Sequence, residues 1–176
     1  MRIYFAGAEY QKHADTLVAA GIKNCSLNFH NFRKRNGLNK DSIESLIESI
    51  TRFENVFVSF GSGSLNESIS NKDSSFEEWA SVYLGFCKLL SGYVELFEAP
   101  IAEGASLDEM SRWLDTFISA DIQVGQHVPW DDAPTTVDED AENIETPTVI
   151  VSGAEKSSIK CSNRIKELGT RGYDVH

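Results

Sequence analysis

The chain has 176 residues, a hydrophobic content of 41% and a formal net charge of −11. This length suits one domain, since domains hold roughly 100–200 residues, and no apolar stretch approaches the roughly 18 residues that a membrane helix needs. We therefore expect no membrane association. The acidic balance also argues against a broad nucleic-acid-binding surface, which requires clustered Lys and Arg.

The amino terminus and the cysteines indicate a reducing compartment. Met1–Phe5 carries one charge and enters a predicted strand at once, without the long apolar stretch of a signal peptide. Cys25, Cys87 and Cys161 are odd in number and far apart, so neither a disulfide framework nor a zinc knuckle is indicated. We expect a cytoplasmic protein with buried, reduced thiols.

Hydrophobic periodicity predicts alternating strands and helices along the whole chain. In chain order, the sequence predicts a strand at 2–5, a helix at about 11–20, a strand within 22–32, a helix over 43–53, a strand at 55–60, a helix over 76–90, a strand at 93–97, a helix over 107–118, a strand at 122–128, a strand at 149–151, a helix at 156–168 and the opening of a seventh strand at 173–176. The second strand is expected to include Ser26–His30, which alternate in character. The stretch Asn55–Ser64 is the centre of this plan, because an apolar run there breaks into a small, polar, glycine-containing turn.

Local signals predict several helix ends. Gly21 is expected to be a C-cap, and Asp41 or Ser42 the N-cap of the next helix. Ser75 and Ser106 each open a capping box with a Glu three residues later. Gly92 is expected to end the helix that starts at 76, and Gly169 or Gly172 the last helix.

Two helices carry clear apolar stripes. At helical spacing, one has Ile43, Leu46, Ile47, Ile50 and Phe53, and the other has Phe76, Trp79, Tyr83, Phe86 and Leu90. The helix over 107–118 has a similar stripe of Leu107, Met110, Leu114, Phe117 and Ile118. We interpret all three stripes as packing surfaces.

Three polar segments interrupt the pattern. Residues 65–75 form a polar loop that is either a binding segment or a plain surface excursion. Arg33–Arg35 could contact a phosphate or form a solvated basic turn. Residues 131–147 hold seven acidic residues and almost no large apolar ones, which predicts an exposed loop or partly disordered linker.

Six βα units and the start of a seventh predict a single βα-repeat domain over 1–176 with a parallel sheet. This count fits an incomplete (β/α)₈ barrel, which ordinarily takes about 250 residues. An open doubly wound sheet is the alternative, because periodicity does not separate the two. A chain that ends inside a strand indicates a fragment, or an open barrel whose edge a second copy of the chain covers by pairing.

Polar residues at the carboxyl ends of parallel strands converge on one edge of the sheet, where α/β proteins bind ligands. The sequence places there Glu9, Asn28 or His30, Ser59 with Gly61, Glu98, Gln126 or His127, and Glu155. Carboxylates, carboxamides and imidazoles suit bidentate recognition of a base or sugar, and acid–base catalysis. Glu9 and Glu155 have the alternative role of stabilising adjacent helix N-termini.

No metal or cofactor is expected. His30, His127, Glu9 and Glu98 could converge as ligands, but the tight spacing of a metal motif is missing. Gly61-Ser62-Gly63 is too short for a dinucleotide fingerprint, and there is no phosphate-binding G-x-x-x-x-G-K-[ST] motif. Ser59 lacks the G-x-S-x-G setting of a nucleophilic serine.

Three stretches carry a family resemblance. Phe57-Val58-Ser59-Phe60-Gly61-Ser62-Gly63-Ser64, Tyr93–Glu98 and Ile122–His127 together resemble the tRNA-guanine transglycosylase-like TIM barrels, which include phage and bacterial members that insert 7-deazaguanine bases into DNA. In that family an Asp in the first turn contacts the base and a further Asp attacks the ribose carbon.

This resemblance implies a transferase that exchanges a purine or 7-deazaguanine base in nucleic acid. Glu98 corresponds to the second acidic residue and Gly61 to the glycine of the turn, whereas the first Asp falls on Ser59. The zinc-binding cysteine cluster of the tRNA-acting members has no counterpart. A weaker resemblance, carried by Ile3-Tyr4-Phe5-Ala6-Gly7, is to the nucleoside 2-deoxyribosyltransferases. The rival hypothesis is a non-catalytic binding or interaction protein on the same scaffold, which could be viral.

Overall fold

The computed structural model describes residues 4–61, 75–100, 106–128, 148–151 and 158–175; for residues 126–128, 148–151, 158–161 and 164 it describes the backbone alone. The chain divides into two compact units. The first is Tyr4–Gln123, and the second contains the described residues from Val124 onward.

The first unit alternates four strands with five helices in its described ranges. Its elements are β1 Phe5–Ala6, α1 Gln11–Ala19, β2 Asn24–Asn28, α2 Phe29–Asn36, α3 Lys40–Ile50, β3 Asn55–Ser59, α4 Phe76–Leu90, β4 Leu96–Glu98 and α5 Leu107–Ser119. The second unit contains β5 Val124–Val128, β6 Thr148–Val151, α6 Ser158–Thr170 and β7 Asp174–Val175.

Within each unit the strands are parallel and neighbours follow chain order. In the first unit β1 pairs with β2, β2 with β3, and β3 with β4, with Asn28 opposite Ser59 at the carboxyl end. In the second unit β5 pairs with β6, and β6 with β7. The predicted α/β class with parallel strands is therefore confirmed.

The two faces of the β2–β3 pair differ in burial. Cys25, Leu27, Val56 and Val58 are buried, whereas the residues between them are only half-buried. On that second face Asn55 donates an amide hydrogen bond to Asn24 Oδ1 at 2.7 Å. This alternation in burial arises because successive residues of a strand point to opposite faces of the sheet.

An aromatic cluster packs against the buried face and contains the predicted stripe of α4. All five stripe residues of α4 are buried. Tyr83 lies at the centre of this cluster, with ring centroids 4.9 Å from those of both Phe29 and Phe60. Burying aromatic rings of this size supplies much of the hydrophobic free energy of a small domain.

The helix ends confirm both predicted capping boxes. Ser75 and Ser106 form them with Glu78 and Glu109. The C-cap of α1 is Ala20 rather than the predicted Gly21, which follows it with φ 73°. The cap predicted at Asp41 or Ser42 is wrong, since the Asn39 side chain accepts the Ser42 N–H at 2.9 Å and starts α3 two residues earlier.

Helix α2 replaces the end of the predicted second strand, and this is the main error of the sequence-based assignment. The strand stops at Asn28, whose side-chain oxygen accepts the Asn31 N–H at 2.9 Å, and Phe29 and His30 are already helical. Residues 33–35 consequently form the last turn of α2 rather than a basic turn after a strand. Asn28 caps the helix because its short side chain reaches back to the backbone, which the β-like alternation of Ser26–His30 conceals.

Smaller differences concern where elements end. Helix α4 ends at Leu90 rather than Gly92, and β4 begins at Leu96 rather than Tyr93. Helix α6 continues through Gly169 to Thr170, and Gly172, with φ 93°, follows it. In the second unit, Leu168 and Val175 form a small buried core.

In the stripe of α5 only Leu114 and Phe117 are buried, and Leu107 and Ile118 are exposed. The predictions for residues 65–74, 131–147 and Glu155 lie outside the described residues. None of the described helices has both the length and the hydropathy that crossing a membrane requires.

Candidate functional site

Five of the predicted site residues lie at the carboxyl ends of the four strands in the first unit. Glu9 follows β1, and Asn28 is the last residue of β2. Ser59 is the last residue of β3, and Gly61 lies in the turn after it. Glu98 is the last residue of β4. We call these five residues the strand-end cluster. Each lies there because parallel strands bring their carboxyl ends to one edge of the sheet.

Glu9 joins the first two strand ends. Glu9 is 9% exposed, and its Oε2 accepts the Asn28 N–H at 3.4 Å. Glu9 also lines a small cavity of about 80 Å³ whose wall includes Phe32, Asn36, Ser42 and Ser49. Glu9 therefore has a structural contact as well as access to a polar cavity beside α2 and α3.

Asn28 and Gly61 lie in direct contact. Gly61 has φ +88°, and a Cβ atom built on it would lie 2.6 Å from Asn28 Oδ1 and 2.9 Å from Nδ2. A real Cβ atom never approaches an oxygen this closely, so the turn after β3 needs glycine both for its backbone conformation and for the approach of the Asn28 amide. Asn28 is half-buried, so part of this side chain is open to solvent.

Glu98 joins β4 to the turn after β3. It is 5% exposed, and Oε2 accepts the Phe60 N–H at 2.6 Å. Behind it, the buried Tyr83 hydroxyl lies 3.2 Å from the Val58 carbonyl and 3.1 Å from the Glu98 carbonyl. Burial raises the pKa of Tyr83 well above its usual value, so the phenol stays neutral and acts as a donor.

Sequence patterns do not reveal two of these supporting groups, the Phe60 N–H and the Tyr83 hydroxyl. The Phe60 N–H contributes backbone chemistry, which side-chain patterns do not reveal. The ring of Tyr83 belongs to the apolar stripe of α4. Only the position of its hydroxyl beside two strand ends shows that Tyr83 is also a hydrogen-bond donor.

Glu9 and Glu98 thus share one arrangement. Each carboxylate accepts a backbone N–H from the end of the neighbouring strand. Such charge-assisted hydrogen bonds hold strand ends in register and fix the carboxylates in place. Chemically, the cluster offers buried carboxylates beside the half-buried Asn28 and Ser59, whose polar groups can donate to or accept from a ligand.

The other predicted site residues are not members of this cluster. His30 is in the first turn of α2 and lines a groove with Arg33, Lys34 and Trp79. Gln126 and His127 belong to β5 of the second unit, where their backbones pair with Val149 and Ile150. Glu155 lies outside the described residues.

The described residues contain no group of three or more His, Cys, Asp or Glu side chains arranged to hold a metal ion. Cys25 and Cys87 are both buried thiols. Burial, together with the nearby Glu9 carboxylate, raises the pKa of Cys25 to about 12. Cys25 is therefore a neutral core residue rather than a metal ligand or nucleophile.

No family model, curated protein or solved structure matches the chain.

Proposed function

We propose that the strand-end cluster binds a purine-type nucleobase and that Glu98 is the carboxylate that acts on the bound nucleoside. The observation that carries this proposal is the Glu98–Phe60 contact of 2.6 Å, which fixes an acidic residue beside the glycine turn against which Asn28 packs. Carboxylates and carboxamides are groups that hydrogen-bond to the edges of bases, and a glycine turn allows close approach of the backbone.

The reaction that fits these groups is base exchange through a covalent intermediate. The Glu98 carboxylate attacks C1′ of the ribose, the C1′–N bond breaks, and the departing base keeps the electron pair and takes up a proton. The incoming base then loses a proton as its nitrogen attacks C1′, and the Glu98 carboxylate is released. No oxidant, reductant or metal is required for this sequence.

A non-catalytic base-binding protein is the second candidate, and two observations favour it. Ser59 occupies the position where the resemblance expects an Asp, and Glu98 is almost completely buried while it holds the Phe60 N–H. A carboxylate committed to a backbone donor is a weaker nucleophile because the hydrogen bond stabilises its charge. In this alternative Glu98 organises the turn, and Asn28 and Ser59 contact the ligand.

We also propose that the strands belong to a (β/α) barrel rather than to a doubly wound sheet. Within each unit the strand order follows the chain without the reversal on which a doubly wound sheet depends. The buried thiols of Cys25 and Cys87 suit a reducing, cytoplasmic setting. Pairing of a sheet edge with a second copy of the chain stays a prediction.

Calorimetric titration with guanine and 7-deazaguanine tests base binding. We expect heat of binding for the native chain and at least tenfold weaker binding for Glu98→Gln, whose amide keeps the shape and the acceptor but loses the charge. Glu95→Gln is the matched control, because Glu95 lies three residues earlier and accepts a hydrogen bond from Tyr4. If neither guanine nor 7-deazaguanine gives heat of binding, both candidate functions are refuted.

Base exchange separates the two candidates. Incorporation of labelled guanine into a guanine-containing nucleoside or oligonucleotide, followed by mass spectrometry, should occur with the native chain and stop with Glu98→Gln. Binding without incorporation would favour the non-catalytic protein. Incorporation that survives Glu98→Gln would show that another group is the nucleophile.

A further inference from the structure

A groove of about 560 Å³ lies outside the strand-end cluster, between α2 and α4. We call it the basic groove, and its lining residues are His30, Arg33, Lys34, Gly37, Leu38, Trp79 and Val82. His30, Arg33 and Lys34 stand at positions i, i+3 and i+4 of α2, a spacing that places them on one face of the helix. This spacing is visible in the sequence, but it indicates a shared face only if residues 30–34 are helical rather than part of a strand.

The positive charges of the basic groove have no ionic partner in the described part of the chain. Arg33 and Lys34 form no ion pair there, although the protein as a whole has a net charge of −11. The Arg33 guanidinium lies 3.8 Å from the centroid of the Trp79 ring. Stacking of this kind holds the guanidinium plane in place and leaves its N–H groups at the rim available to an acceptor.

His30, which lines the same groove, has one buried polar atom without a partner. The side chain is 7% exposed, and its Nδ1 atom has no hydrogen-bond partner. Burial lowers the pKa of His30, and the nearby positive charges of Lys34 and Arg33 lower it further, so the imidazole is neutral at pH 7. A buried polar atom without a partner is costly, so a rotation of the imidazole that gave Nδ1 a partner would be favourable.

We propose that the basic groove binds a phosphate group carried by a nucleotide or by a nucleic acid strand. A phosphate offers several strong acceptor oxygens, which match the planar donor edge of Arg33, the ammonium of Lys34 and an imidazole N–H of His30. The volume of about 560 Å³ also leaves room for the sugar to which the phosphate is attached. This site is separate from base exchange and does not depend on Glu98.

Titrations with inorganic phosphate, guanosine monophosphate and a short single-stranded oligonucleotide test the site and distinguish the two sources. The readout is the imidazole resonances of His30 in nitrogen–proton NMR spectra, together with calorimetric affinity. We expect the His30 resonances to shift and the pKa of His30 to rise on binding, because a phosphate favours the charged imidazole. Much tighter binding of the oligonucleotide assigns the site to a strand, and equal binding of the mononucleotide assigns it to a nucleotide.

Neighbouring basic residues provide matched variants. Arg33→Gln and Lys34→Gln should each weaken phosphate binding by about tenfold, as expected for the loss of a charged hydrogen bond. Arg35→Gln should leave binding nearly unchanged, because Arg35 lies over Tyr10, at 4.3 Å, and does not line the groove. Lys34 is exposed, so its variant tests the site even if loss of the Arg33–Trp79 contact destabilises the protein.

Two results would overturn the proposal. One is the absence of a His30 shift with all three probes, and the other is equal weakening by Arg35→Gln and Lys34→Gln, which would indicate general charge attraction. Glu98→Gln should bind phosphate as the native chain does. Failure of the base site and failure of the basic groove can therefore be recognised separately.

Discussion

At the scale of single residues, the strand-end cluster depends on close approach. Asn28 and Gly61 pack so tightly that no side chain fits at position 61. Glu98 is fixed by a backbone donor from the same turn. Small changes at these positions should therefore affect both the free energy of unfolding and the shape of the site.

Gly61→Ala should destabilise the first unit by about 1–3 kcal/mol, because alanine at a positive φ is strained and its Cβ would collide with the Asn28 amide. Chemical denaturation measures this change. Gly92→Ala is the control, since a Cβ there would meet no atom within 4 Å, and its effect should stay within about 0.5 kcal/mol. Equal losses for both variants would show that the close approach to Asn28 is unimportant.

At the scale of the elements, α2 connects the strand-end cluster to the basic groove. It begins at Asn28, whose side chain contacts Gly61, and it carries His30, Arg33 and Lys34. The Asn28 cap decides where β2 stops. One side chain thus fixes both the edge of the proposed base site and the helix face that lines the groove.

Two asparagine caps allow these roles to be separated. Asn28→Ala and Asn39→Ala each remove a side-chain acceptor from a backbone N–H at 2.9 Å, and each should cost about 1 kcal/mol of stability. Only Asn28→Ala should also weaken nucleobase binding in calorimetry, since Asn39 caps α3 away from the cluster. If the two variants bind the base equally well, Asn28 has no role beyond capping.

At the scale of the whole molecule, two buried thiols and one buried phenol make the free energy of unfolding depend on pH. Burial raises the pKa of Cys25 to about 12, and it raises the pKa values of Tyr83 and Cys87 well above their usual range. The folded state therefore keeps protons that the unfolded state releases. The resulting stability is complete below the unfolded pKa values and is lost as the pH rises past them.

The free energy of unfolding should fall progressively above about pH 9, where unfolded cysteine begins to ionise, and more steeply above about pH 10, where unfolded tyrosine follows. Urea denaturation at pH 7 to 10.5 measures the slope. Cys25→Ala should show a shallower fall than the native chain, because it removes one of the buried thiols whose pKa is raised. An identical slope for Cys25→Ala would rule out a contribution from that thiol.

Local sequence signals determined much of the fold. The capping boxes at Ser75 and Ser106, the apolar stripe of α3 and the aromatic stripe of α4 are set by residues within a few positions of each other, and all four are found in the structure. The alternation of strands and helices likewise predicts parallel pairing, because the intervening helices return the chain to the same end of the sheet. Glu9, Asn28, Ser59, Gly61 and Glu98 followed from that rule.

The local Asn28 cap and tertiary packing together decided where β2 ends, and tertiary structure alone decided what the polar residues contact. The alternating pattern around Phe29 predicts a strand, yet Phe29 is helical. Its ring packs against Tyr83 and Phe60, and the Asn28 side chain accepts a backbone N–H from the first turn of α2. The Glu98–Phe60 and Asn28–Gly61 contacts join residues more than thirty positions apart. Sequence patterns report local conformation and burial, whereas such contacts depend on how the elements pack.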